Sequence, residues 1–206
     1  MTELYIMRHG ETDWNRQKRY QGQMDSALTD TGKLRTLLQK EKLKDVDFER
    51  VFCSPLGRTR ATLKLLTPRS RGLIYDDRLK EICLGLLQGK THAELADPER
   101  IAQEKFWTDP ESFSADGAET MAELEIRVKD FLSDLKKMEG RILIVTHTVI
   151  IKMVLKILDS KPISALWGGP FLHPGTILIV DTDHQPCIRE VIHPQEKMER
   201  SVSYTA

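Results

Sequence analysis

Ile142-Leu143-Ile144-Val145-Thr146 is a continuous apolar run dominated by β-branched residues. A run of this kind reads as a strand buried on both faces, as in parallel sheets covered by helices on each side. Val149 to Leu158 follows at once and reads as an apolar helix. Upstream, Thr120-Met121-Ala122-Glu123 has capping-box spacing, and Met121, Leu124, Val128, Phe131, Leu132, Leu135 and Met138 recur with helical period. Helix, strand, helix is the local grammar of an α/β sheet.

The same grammar extends towards the N-terminus. Leu4-Tyr5-Ile6-Met7 is a short strand, followed by a polar loop to about Ala27. A helix is expected from Leu28-Thr29-Asp30-Thr31-Gly32, with Leu34, Leu37 and Leu38 as its buried stripe. Phe48 to Cys53 reads as a strand ending at Ser54-Pro55. Ser54 is then the expected N-cap and Pro55 the first position of a helix burying Leu56, Leu63 and Leu66. Gly72–Tyr75, Ile177–Val180 and Cys187–Ile192 complete the strands. The expected fold is a three-layer α/β sandwich with a mostly parallel central sheet and helices on both faces. One catalytic domain is expected over 1–206, with 84–117 as an excursion or lid over the active site and 193–206 as a tail. Within the excursion, Thr91-His92-Ala93-Glu94 reads as a capping box, and Asp97-Pro98 opens a helix through Trp107.

Composition narrows the partners. Across 206 residues, 31 Lys and Arg balance 31 Asp and Glu, so no net field draws nucleic acid or an acidic membrane. Arg16, Lys18 and Arg19 read as a solvated loop face. Cys53, Cys83 and Cys187 have no C-x-x-C spacing and cannot all pair, which favours reduced thiols and a cytoplasmic protein; two of them are expected in the core. No apolar stretch reaches membrane-spanning length. No nucleic-acid or membrane partner, cofactor or metal is expected.

Chemistry gathers at strand ends. The first strand delivers Arg8 and His9, the second Ser54 and then Arg58, and the buried one Thr146 and His147. Ligands of parallel α/β sheets bind beyond the carboxyl ends of the strands. Arginine offers planar, permanently charged donors to phosphate oxygens, and a neutral imidazole is a nucleophile near neutral pH. Gly10 is read as the residue that lets backbone approach a ligand. Arg58, in the first turn of its helix, adds to an end that already favours an anion. Two arginines and two histidines at neighbouring strand ends point to a phosphate site.

These residues resemble the histidine phosphatase superfamily, in its phosphoglycerate-mutase-like branch. The matching stretches are Arg8-His9-Gly10-Glu11-Thr12, Trp14-Asn15, Gln21-Gly22, Leu28-Thr29 with Gly32, and Ser54-Pro55-Leu56 with Arg58 and Thr62. They continue with Leu79-Lys80-Glu81-Ile82, Gly85, Gly117, Glu119, Arg127 and the strand ending at His147. The resemblance implies that His9 becomes a phosphohistidine and that Arg8, Arg58 and His147 bind the phosphoryl oxygens. Asn15, Gln21, Gly22 and Thr148 would be further substrate contacts, and Glu81 the general acid. It implies a phosphoric monoester hydrolase of the histidine acid phosphatase type, acting on small phosphorylated metabolites. The alternatives are a cofactor-dependent phosphoglycerate mutase and a non-catalytic phosphate-binding regulatory module. A metal hydrolase built on His9, His147 and a carboxylate lacks tight ligand spacing, and the flanking arginines would repel its cation. Departures from the family pattern are Thr148-Val149 after the second histidine, Leu86-Leu87-Gln88-Gly89 after Glu81, and Thr59 after Arg58.

Overall fold

The computed structural model describes residues 2–182 and 186–194. In chain order its elements are β1 (Thr2–Arg8), α1 (Asp13–Arg16), α2 (Asp30–Leu43), β2 (Asp47–Phe48), β3 (Arg50–Cys53), α3 (Gly57–Leu66), β4 (Arg69–Ser70) and β5 (Leu73–Tyr75). There follow α4 (Asp97–Thr108), α5 (Met121–Leu135), β6 (Gly140–Thr146), α6 (Thr148–Leu158), β7 (Ile177–Asp181) and β8 (Cys187–Ile192). Six strands form one sheet in the order β5-β3-β6-β1-β7-β8. β5, β3, β6 and β1 are parallel, and β7 and β8 add antiparallel pairings at one edge.

Alternation along the central strands divides the core in two. Leu4, Ile6, Ile142 and Ile144 face a cluster that includes Leu124, Val128 and Phe131 of α5 and Ile150 and Val154 of α6. Tyr5, Met7, Leu143 and Val145 face the other side, against Leu43 of α2 and Leu63 and Leu66 of α3. Successive side chains of a strand point to opposite faces, so a central strand apolar throughout needs a helical layer on each side. The three-layer α/β expectation is met.

The excursion after Glu81 packs into the α5–α6 layer through Leu84, Leu87, Leu95, Phe106 and Phe113. Both capping boxes form. Thr120 Oγ1 accepts from Glu123 N at 3.2 Å and Glu123 Oε2 accepts from Thr120 N at 2.8 Å. At a short 3₁₀ turn, Glu94 Oε2 accepts from Thr91 N at 2.8 Å.

Four expectations need correction. Leu34 and Leu37 are exposed, at 49% and 42%, and α2 instead buries Gly32, Thr36, Gln39 and Leu43. The reason is close backbone approach. A Cβ on Gly32 would sit 2.2 Å from the Glu11 carbonyl oxygen, and Gln39 Nε2 is needed to donate to Gly175 O at 2.8 Å. Hydrophobic spacing cannot register a helix face chosen by missing volume and by carbonyls that need donors.

Secondly, α3 starts at Gly57 with Leu56 at the N-cap, not at Ser54-Pro55. Ser54 Oγ is engaged instead with His147 Nε2, at 2.8 Å. Thirdly, the space that requires a glycine at Gly10 is taken by α2: its Cβ position lies 2.8 Å from Thr36 Oγ1 and 3.1 Å from Gly32 O. Fourthly, only Cys53 is buried; Cys83 is half-buried and Cys187 exposed, and all three are free. His184 and the tail beyond residue 194 lie outside the described residues. Among the described residues, no helix is long and apolar enough to cross a membrane.

Candidate active site

β3, β6 and β1 are neighbours, so their carboxyl ends bring Ser54, His147 and His9 to one edge. Backbone bonds tie that edge together: His9 N donates to Thr146 O at 3.0 Å and Ser54 N to Val145 O at 3.0 Å. Above it lies a cleft of about 370 Å³ whose walls include Arg8, His9, Asn15, Arg58, Glu81 and Thr148.

His9 is buried, and its Nδ1 lies 2.7 Å from Gly10 O. A carbonyl only accepts, so Nδ1 carries the proton and the lone pair is left on Nε2. Arg58 Nε donates to that Nε2 at 3.3 Å. Burial, then Arg58, then Arg8 hold the His9 imidazole well below its ordinary range, so it is neutral.

Arg58 is almost fully buried and held on every side. Nη1 donates to Met24 O at 2.7 Å and to Asp25 Oδ1 at 2.8 Å, and Nη2 donates to Gly22 O at 2.7 Å. Asp25 also accepts from the amides of Gly57, at 2.6 Å, and Arg58, at 3.3 Å. The anion expected at the start of α3 is therefore Asp25, a residue of this chain. Arg8 Nη1 donates to Leu172 O at 2.5 Å. Burial draws the Arg8 guanidinium down to about 10, with Glu81 opposing and Arg58 adding to the effect, so it stays charged at neutral pH.

Glu81 Oε1 accepts from Ile82 N at 3.1 Å and Oε2 from Val149 N, in the first turn of α6, at 3.4 Å. Burial raises its carboxyl above the ordinary range despite Arg58, the two amides and Arg8. Arg127 Nη2 and Gln23 Nε2 donate to the Glu81 carbonyl at 3.4 and 3.1 Å and hold the segment.

His147 is fully buried, its ring centroid 5.3 Å from that of His9. Its Nδ1 is buried without a hydrogen-bond partner. Burial, followed by Arg58, depresses its pKa well below the usual imidazole value.

Asn15, Gln21, Gly22 and Thr148 all line the cleft. Asn15 Oδ1 is already committed to Thr12 N at 3.1 Å, closing the cap of α1. Gln88, in the segment that departs from the family pattern, accepts from Gln23 N at 2.7 Å and does not line the cleft. His92, His173 and His193 are exposed and also stay outside it.

Several cleft residues were not singled out by their sequence. Asp25 sits in an irregular loop with no local signal. Arg19, read as part of a solvated face, lines the cleft, as do Tyr20, Trp107, Lys152, Trp167 and Phe171. The one available sign was Lys152, a cation inside the apolar run of α6.

A model of the histidine phosphatase superfamily (branch 1) matches residues 4–191, and the chain belongs to that family. It is a phosphoryl-transfer enzyme. Over 165 residues it is 32% identical to the protein named "Probable phosphoglycerate mutase GpmB" of Enterobacter sp. (strain 638), covering 79% of this chain and 77% of that one. It is 29% identical over 171 residues to Phosphoserine phosphatase 1 of Hydrogenobacter thermophilus, covering 82% and 81%. Among solved structures it is similar to Bacillus stearothermophilus YhfR, with a TM-score of 0.84 and 31% identity over 92% of this chain and 96% of that one.

Proposed function

We propose that the protein is a phosphomonoesterase of small phosphorylated metabolites, of the histidine acid phosphatase type, working through a phosphohistidine on His9. The observation that carries this is the His9 tautomer: Nδ1 is bonded to Gly10 O and the Nε2 lone pair lies against Arg58 in the cleft.

Nε2 attacks phosphorus as the bond to the leaving oxygen breaks. Glu81, whose carboxyl burial raises above its ordinary range, gives that oxygen its proton. Glu81 then takes a proton from water as the water oxygen attacks phosphorus. The P–N bond breaks, inorganic phosphate leaves, and His9 returns to its neutral form. Arg8 and Arg58 stabilise the charge on the equatorial oxygens throughout, so no metal is required. His147 Nδ1, unbonded and buried, is suited to a phosphoryl oxygen. The expected cytoplasmic location fits the free thiols.

A phosphoglycerate mutase is the second reading, and it draws on the relative of that name. A mutase must enclose its phosphohistidine and acceptor away from water. Here 84–117 is short and its α4 contributes only Phe106 and Trp107 to the cleft wall, which favours water entry and hydrolysis. Two measurements decide. Acid-quenched reaction with labelled ester should leave one phosphoryl group on His9, and phosphate release should greatly exceed interconversion of phosphoglycerates. Fast isomerisation with negligible phosphate release would transfer the assignment to the mutase. Unchanged turnover in His9→Ala would remove both readings.

A further inference from the structure

Beyond the phosphate end, the cleft changes character. Its walls also carry Tyr20, Trp107, Trp167 and Phe171. Trp107 and Trp167 lie with ring centroids 4.5 Å apart and planes inclined at 43°. Trp167 is held in place by Nε1 donating to Phe106 O at 2.8 Å. Tyr20 and Trp167 are partly buried against the core, but burial does not explain Trp107 and Phe171. Phe106 is 4% exposed and anchors α4, whereas Trp107 remains 48% exposed and Phe171 72%. A single exposed aromatic needs no account, but several on the wall of one concavity mark a binding surface.

Two further cations of the cleft wall, Arg19 and Lys152, are already engaged. Arg19 Nη1 is paired with Glu94 at 2.6 Å and donates to Gly89 O at 2.8 Å. Lys152 Nζ donates to Gly168 O at 2.6 Å and Pro170 O at 2.8 Å, fastening the loop that carries Trp167 and Phe171. Among the described residues Glu81 is the one carboxylate on the cleft wall, and it belongs to the reacting end. The aromatic wall thus suits a flat apolar group and offers no counter-ion for an ammonium group.

We propose, on the basis of the phosphatase reading, that the substrate is a phosphate ester of an alcohol carrying a planar aromatic group and neither carboxylate nor ammonium. The aromatic group packs against the wall formed by Trp107, Trp167 and Tyr20 while the phosphoryl group lies at His9. A volume of about 370 Å³ suits a phosphoryl group and one ring system.

Paired probes of equal reach test this. Phenethyl and cyclohexylethyl phosphate have alcohols of similar acidity and differ in the π face. Phenylpropylphosphonate and cyclohexylpropylphosphonate are their hydrolysis-proof counterparts for titration calorimetry. The phenyl member should be favoured about threefold or more in both kcat/KM and Kd. Phenethyl phosphate should exceed phosphoserine and phosphoglycerate by about tenfold or more in kcat/KM. Trp107→Leu should bring the phenyl-to-cyclohexyl ratio close to one, and Phe171→Leu, at a more exposed position, should lower it. Equal treatment of the two rings by the wild type would overturn the proposal. So would a preference for phosphoglycerate that Lys152→Met abolishes, since Lys152 would then be a carboxylate partner. If no ester releases phosphate, the phosphatase reading fails separately, and the phosphonate affinities still report on the aromatic wall.

Discussion

Asp25 Oδ1 lies 2.8 Å from Arg58 Nη1 and accepts the Arg58 backbone amide as well. The same carboxylate therefore starts α3 and aims the guanidinium that touches His9. Asp25→Ala should lower kcat by about 10- to 100-fold through misplacement of Arg58, since small shifts of a positioned group are costly. Asp25→Asn, which keeps an acceptor, should recover part of that loss. Steady-state kinetics on both variants checks it, and a kcat unchanged in Asp25→Ala would deny Asp25 any part in placing Arg58.

Glu81 is raised by burial, which suits a group that must hold a proton near neutrality. Glu81→Gln should slow an alkyl phosphate by about 10²–10⁴-fold, the usual contribution of a general acid. Phosphorylation of His9 by p-nitrophenyl phosphate should fall far less, because the phenolate leaves unaided. Rapid-quench burst amplitudes separate the two cases, and equal losses would make Glu81 a binding group.

His9 and His147 are both buried and neutral, with folded pKa values far below the ordinary 6.5. The unfolded chain therefore binds more protons below that pH, and stability falls as pH drops through and below 6.5. Each histidine contributes about 1.4 kcal/mol of loss per pH unit until its folded pKa is reached. Glu81 has the opposite sign, adding stability below its ordinary 4.5 and losing it as pH rises through its higher folded value. Denaturant melts at pH 5.5 and 7.5 should show the acid loss, and His147→Asn should reduce it by close to half. An unaltered slope in that variant would place the proton uptake elsewhere.

Gly32 and Leu34 lie on opposite sides of α2. Gly32→Ala should cost about 2–4 kcal/mol, because the added Cβ would meet Glu11 backbone that cannot yield. Leu34→Ala should cost under about 1 kcal/mol, since that side chain is half in water. Urea midpoints of the two variants give the order directly; a larger loss at Leu34 would mean that α2 is rotated.

Activity should survive exhaustive chelation, and vanadate should inhibit by imitating five-coordinate phosphorus at Arg8 and Arg58. Loss with EDTA, restored by a divalent ion, would count against arginine-only charge stabilisation. Among the described residues no group of three His, Cys, Asp or Glu side chains is placed to hold a metal ion.

What the sequence by itself determined was local or periodic. The continuous apolar run Ile142–Val145 requires two covered faces, and the pairs Thr91–Glu94 and Thr120–Glu123 cap helices through backbone only three residues away. Strand ends loaded with Arg8, His9, Ser54 and His147 could be read as one site because parallel strands share an edge. Tertiary structure alone decided the rest. The buried face of α2 follows from how closely Glu11 passes Gly32. Asp25 reaches Arg58 across 33 residues, and Trp107 meets Trp167 across a longer gap, so no short-range pattern encodes either contact. The protonation states of His9 and Glu81 depend chiefly on exclusion of water, and that is a property of the assembled cleft rather than of any stretch of chain.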